Sequence, residues 1–385
     1  MLPALRFQFV RGAALRSAVV LLVVCLIGGS QGACSSAGGS PSDDSGGAGG
    51  EEESGGGGGS ISGTGGTAGA DAIDAGGSVA GAAGHDAATE KPDAGLTKPD
   101  AANPITPTSP LYMPPTMGGD FDFSDKTWAY PDETKSVLGT PLGTVVSDTF
   151  ATSKIYPGRS YKYSVYIPKQ YDGSTPAALM VWQDGNKALG TFRVPLVYNN
   201  LIHQGRLPVT INIFVEPSSQ ADRSDEYDSI NDKYVRFLIE ELIPWATTKN
   251  NLKISGDPEA HGIGGHSSGG AAAFTAAWLR PDYFRRVVTG NGSFVGLRGA
   301  DQYPALIKSA ANKPLRVTLL SGDADLSGFG GWLPANRAMA AALKQKNYQY
   351  RFTYAKQVGH DEKYFSMIVA FDLLFAWQGF TAGAN

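Results

Sequence analysis

Residues 259–279 read EAHGIGGHSSGGAAAFTAAWL. A short stretch of small and apolar residues runs into a serine pair flanked by glycines. A run of alanines follows, ending in Phe274, Trp278 and Leu279. The reading is strand, sharp turn, then a helix of small residues able to pack close under a sheet. Gly265, Ser267 and Gly269 spell G-x-S-x-G. A serine hydroxyl is a poor nucleophile until a base removes its proton. A strand-to-helix turn holds such a serine exposed, and its glycines leave room for strained backbone and close packing. The pattern alone is weak in a chain with 50 glycines; the strand and helix around it give it weight. Ser268 is the rival nucleophile, but the glycines two residues to either side favour Ser267.

Outward from this turn the chain alternates. Strand-like segments fall at 143–150 and 161–167, with Pro157-Gly158 as the turn between them. Residues 177–182 (AALMVW) and 209–215 (VTINIFV) are continuous apolar runs, as in strands buried on both faces. Further strands are expected at 259–264, 286–289, 315–320 and 350–354. Helical spacing marks 196–204, 228–247, 268–279, 332–345 and 364–377. Strands separated by helices predict parallel pairing with helices on both faces. Two leading strands with no helix between them predict an antiparallel N-terminal edge. Residues 119–385 are therefore expected to form one α/β domain around a mostly parallel central sheet.

A serine nucleophile needs a base and an acid. In chain order after the glycine-flanked serine come the acid and then a histidine near the C-terminus. Of five histidines, His85 lies in a Gly-rich tract and His203 on an expected helix; His261 and His266 lie beside the serine turn. His266 is the residue before Ser267 and is expected to line the site. His360, after the last strand and before the last helix, fits the order for the base. The acid is expected in 319–325 (LLSGDAD), where Asp325 is preferred and Asp323 is the alternative. One oxyanion donor is expected from the N–H of Ser268. The other is expected from the loop after the third strand, Gln183-Asp184-Gly185.

Residues of about 140 to 380 resemble the esterase D and enterochelin-esterase-like family of α/β hydrolases, which includes feruloyl and acetylxylan esterases. The resemblance rests on Ser164-Val165-Tyr166-Ile167-Pro168, Val181-Trp182-Gln183-Asp184-Gly185 and Arg223-Ser224-Asp225-Glu226-Tyr227-Asp228. It rests also on Gly265-His266-Ser267-Ser268-Gly269-Gly270, Arg280-Pro281-Asp282, Gly292-Ser293-Phe294 and Asn336. It implies an α/β-hydrolase sandwich with a Ser267–Asp325–His360 triad and no metal or cofactor. It also implies sugar-linked acyl or aryl esters as substrates, with siderophore esters or acyl transfer as alternatives. Two departures bear on pocket shape: Val358 stands where many relatives have glycine, and Tyr364 is the nearest aromatic after His360. The 223–228 stretch has two readings of equal standing. Arg223 or Glu226 lines the substrate pocket, or the acidic residues serve the N-terminus of the following helix.

The N-terminus reads as an export signal. Arg6, Arg11 and Arg16 precede an apolar core at 18–27, too short to span a bilayer. Cys34 follows Gly32-Ala33, so residues 1–33 are expected to be removed, with Cys34 either lipidated as a membrane anchor or left by plain cleavage. Residues 34–118 are Gly-, Ser-, Asp- and Pro-rich and are expected to be a flexible tether. The leader carries +3 and the tether −9, so the chain total of −4 leaves +2 for residues 119–385. A nearly neutral domain gives no electrostatic reason to expect nucleic acid as partner. The two cysteines, Cys25 and Cys34, both precede that domain, which excludes disulfides and thiolate metal sites within it. A catalytically silent binding module on a surface tether is the non-enzyme alternative.

Overall fold

The computed structural model describes residues 117–380. The expected leader, Cys34 and the tether up to residue 116 lie outside them. Nine strands form one sheet among the described residues. They are β1 (Gly119–Asp122), β2 (Thr144–Phe150), β3 (Tyr161–Ile167), β4 (Ala178–Gln183), β5 (Thr210–Val215), β6 (His261–His266), β7 (Arg286–Gly290), β8 (Arg316–Ala324) and β9 (Gln349–Gly359). Their order is β1-β9-β8-β7-β6-β4-β5-β3-β2. β2 runs antiparallel to β3 and β3 antiparallel to β5; the other pairs are parallel. β1 was not anticipated: four residues on an outer strand, alternating in exposure, carry too little apolar pattern to read.

The helices are α1 (Gly185–Leu189), α2 (Val194–His203), α3 (Arg223–Tyr227), α4 (Lys233–Arg236), α5 (Ile243–Lys249), α6 (Ser268–Leu279), α7 (Tyr303–Ser309), α8 (Trp332–Gln345) and α9 (Glu362–Ala376). The single helix expected over 228–247 is interrupted. Phe237–Leu242 adopts the wider π-helical turn between α4 and α5. Pro244, the second residue of α5, has no N–H to offer the carbonyl of Glu240, so the regular ladder cannot continue through it.

Strand side chains alternate between two cores, as the pleat requires. Leu179, Val181, Ile211, Ile213 and Ile263 face a core built with α4 to α8. Met180, Trp182 and Phe214 face the other, built with α2 and α9. Residues 268–278 of α6 are all buried. Their small side chains let this helix lie close against β6 and β7.

The chain passes from β4 outward to β5 on one side, and from β6 through β7, β8 and β9 on the other. β4 and β6 are therefore neighbours from which successive connections leave in opposite directions. In open α/β sheets the crevice at the carboxyl ends of such a strand pair is where ligands bind. The connections after β4, β6, β8 and β9 all emerge at that end.

Candidate active site

Ser267 follows β6 and precedes α6, with φ 59° and ψ −127°. A side chain other than glycine pays about 1–3 kcal/mol for such backbone. Neighbours hold it there. Its N–H donates to Gly290 O at the end of β7 (2.8 Å), and its carbonyl accepts from the N–H of Gly270, Ala271 and Ser293. The glycines of the turn are steric necessities. A Cβ at Gly265 would sit 2.6 Å from the carbonyl group of Gly269, and one at Gly269 would sit 2.9 Å from the Gln183 side chain.

His360 closes on this serine from the end of β9. Its Nε2 lies 2.8 Å from Ser267 Oγ, and its Nδ1 lies 2.7 Å from Asp325 Oδ1. Burial alone would raise the Asp325 carboxyl. Hydrogen bonds from His360, from Ser321 Oγ and Asn291 Nδ2 (2.7 Å each) and from the Leu326 N–H outweigh it and hold the group below its ordinary value. An ionised Asp325 only accepts, so His360 Nδ1–H donates to it. Nε2 is then left to accept the Ser267 O–H. Asp323 is elsewhere: it is exposed, and its carboxylate accepts the N–H of Gln357.

The residue before Ser267, His266, is buried, and its Nε2 has no hydrogen-bond partner. Desolvation, with the nearby His360 adding to it, pushes its pKa down to about 3. A neutral imidazole thus backs the site, 5.0 Å from the His360 ring, centre to centre. The aromatic ring that meets His360 is Trp332 of α8, edge-on at 5.4 Å, not Tyr364.

Arg223 and Glu226 part company. Arg223 grips Asp184 through two hydrogen bonds, Nε to Oδ1 at 2.8 Å and Nη2 to Oδ2 at 2.6 Å, and also lines the cavity above Ser267. Glu226 does not line it. It is buried and accepts from Arg159, Tyr161 and Ser218, which makes it an internal tie between β3 and α3.

The loop after β4 is narrowed in the same way. Gln183 ends β4, and its side-chain oxygen accepts from Tyr234. The Asp184 N–H donates to Tyr227 (3.3 Å), and the Asn186 N–H donates to Glu216 (2.5 Å). Gly185 opens α1 and Ser268 opens α6, so neither N–H has an acceptor within its own helix. A Cβ at Gly185 would press on the backbone of β5, at 2.7 Å from Phe214 C.

Several site residues had no sequence argument of their own. Ser293 Oγ lies 3.4 Å from Ser267 Oγ and accepts from Trp332 Nε1 at 3.2 Å. Asn291 and Ser321 anchor Asp325. Gly292-Ser293-Phe294 stood out as a motif, but nothing in spacing revealed that it returns to the serine.

The cavity over Ser267 measures about 180 Å³. Its walls are polar: His266, His360, Arg223, Lys187, Glu216 and Glu362 are among them. Both cations are already paired, Arg223 with Asp184 and Lys187 with Glu362 at 2.5 Å. Among the described residues no cluster of three or more His, Cys, Asp or Glu is placed to hold a metal ion.

No curated protein sequence matches the chain. Among solved structures, similarity extends to the enterobactin esterase of Shigella flexneri crystallised with enterobactin: 19% identity, TM-score 0.54, covering 63% of this chain and 61% of that one. A ferulic acid esterase is matched over 62% of this chain and 100% of its own, at 19% identity and TM-score 0.52. The ferulic acid esterase of the anaerobic fungus Anaeromyces mucronatus is matched at 16% identity and TM-score 0.52, over 64% and 96%. This chain thus spans about three-fifths of the enterobactin esterase's length, and at these identities the likeness establishes the α/β-hydrolase fold. The family model described as Putative esterase matches residues 154–378, more than half of the chain, and the protein belongs to that family.

Proposed function

We propose that the chain is an exported serine esterase that works through an acyl-enzyme on Ser267, with sugar-linked acyl esters as its first candidate substrates. One observation carries the mechanism: the continuous relay Asp325 Oδ1–His360–Ser267 Oγ, with contacts of 2.7 and 2.8 Å. His360 Nε2 takes the Ser267 proton as the hydroxyl oxygen attacks the ester carbonyl. Asp325 stabilises the imidazolium without taking its proton. The N–H groups of Ser268 and Gly185 are the assigned oxyanion donors, because those of Asp184 and Asn186 are engaged. His360 then protonates the leaving alcohol, and water, activated by the same imidazole, releases the acid.

The small polar cavity favours a short acyl group over a flat aromatic one. The pairing of both its cations argues against a site built for an anionic siderophore. Export rests on the basic and apolar leader and the tether, with Cys34 as the lipid attachment point or the first residue left by cleavage.

Hydrolysis of p-nitrophenyl acetate tests the reading. Wild type turns the ester over, and Ser267→Ala loses about 10⁴-fold or more in kcat. Equal rates in the two proteins would end the proposal. A fluorophosphonate probe adds an independent readout: mass spectrometry places its adduct on Ser267.

A further inference from the structure

We infer that a second cavity beside the catalytic pocket binds the hydroxyl-rich alcohol portion of the ester, a glycan unit, and so selects the substrate. This deepens the esterase reading and rests on it. The cavity measures about 320 Å³, at the lower end for small-molecule sites of about 300–1,000 Å³. It lies between α1 and the β5–β3–β2 side of the sheet. Glu216 lines both this groove and the catalytic pocket. One short segment walls both: Gly185 and Asn186 border the groove, and Asp184 and Lys187 border the pocket. A substrate whose ester lies at Ser267 therefore has an adjoining space for the part the pocket of about 180 Å³ does not hold.

The lining decides the ligand class. Ser147, Thr149, Ser164 and Asn186 supply neutral groups that both donate and accept, and Phe214 and Leu189 supply apolar surface among them. That mixture suits a ring bearing hydroxyls at its edge and C–H groups on its faces. Ser147 and Ser164 already hold each other at 2.8 Å across the β2–β3 pair, which fixes a hydroxyl pair on that wall. Glu216 is held by the Asn186 N–H. The charges are mixed, Asp148 and Glu216 against Lys162. A polyanion finds no cationic cradle there, and a long acyl chain finds too little apolar wall.

Two variants test the groove without touching the serine, its base or its acid. Ser147→Phe fills it from an exposed position on an outer strand, where an aromatic residue suits the strand. Asn186→Ala removes a donor-acceptor side chain from an exposed position while leaving the N–H that Glu216 needs. The readout is the ratio of kcat/KM for acetylated xylotriose to kcat/KM for p-nitrophenyl acetate, with Tm as the folding control. The ratio falls at least tenfold in Ser147→Phe and at least threefold in Asn186→Ala, mostly through KM. A ratio unchanged in both variants overturns the inference.

Binding is read separately on Ser267→Ala, which needs no turnover. Titration with unacetylated xylotriose, cellotriose and mannotriose shows saturable binding to at least one, weakened at least tenfold by Ser147→Phe. No saturable binding to any of the three overturns the groove even if the esterase is active. Binding by a wild type that hydrolyses neither ester supports the groove and sinks the esterase reading.

Discussion

Ser267, His360 and Asp325 lie in three different connections, yet each is locked by more than its partner. Ser267 has its backbone pinned to β7, and Asp325 gathers four donors. In the proposed mechanism the task of Asp325 is to keep Nδ1 protonated, which a neutral amide cannot do. Asp325→Asn is therefore expected to lower kcat by about 10³–10⁴-fold with little change in Tm, in line with the loss known for the analogous substitution in a serine protease triad. Asp323→Asn keeps an oxygen for the Gln357 N–H and is expected to stay within about twofold of wild type. Assaying the pair side by side decides between the two carboxylates, since the opposite ranking would move the acid to Asp323.

At the scale of elements, the turn between β6 and α6 works because both sides are stripped of side chains. Gly265→Ala places a methyl 2.6 Å from the backbone of Gly269, where no flexible side-chain end can give way. The helix must shift off the sheet, at a cost of about 1–3 kcal/mol. The same shift moves Ser267 away from His360. Thermal unfolding and the p-nitrophenyl acetate rate are expected to fall together. A variant with wild-type Tm and rate would mean that the turn is looser than its packing indicates. Arg223 acts at this scale too, because it fixes Asp184 and so the short loop that carries Gly185, the proposed oxyanion donor.

For the whole molecule, two buried groups set opposite pH limbs. Asp372 in α9 is fully buried, with Arg351 Nη1 at 4.0 Å. Burial pushes its pKa up to about 7, against the pull of Arg351 and Thr318. The unfolded chain releases this proton near pH 3.8 and the folded chain only near 7, so stability falls as pH rises through that window. His266 gives the mirror image. The unfolded chain takes up a proton below pH 6.5 that the folded chain refuses down to about 3, so stability falls as pH falls. Asp372→Asn removes the first limb. The difference in unfolding free energy between variant and wild type is expected to change by about 1.4 kcal/mol per pH unit between pH 4 and 7 and to be flat above it. Urea titrations across pH 4–9 measure it, and a pH-independent difference would place the Asp372 titration outside that range.

Although β1, α1, α3, α7 and the break within 228–247 were not read, the alternation of the longer strands and helices, the glycine-flanked turn and the chain order of Ser267, Asp325 and His360 were legible in the sequence. Each is written in local terms: apolar period, glycine spacing, position along the chain. What lay beyond reach depends on atoms distant in sequence. The bulge that ends β8 aims Asp325 at His360 and leaves Asp323 to accept the Gln357 N–H. Glu226 was as good a pocket candidate as Arg223 until Tyr161 of β3, and Arg159 just before that strand, engaged it. Ser293, Trp332 and Asn291 reach the site only because β7 pairs with β6 and α8 packs on β8 and β9, and side-chain convergence of that kind leaves no periodic trace in the chain.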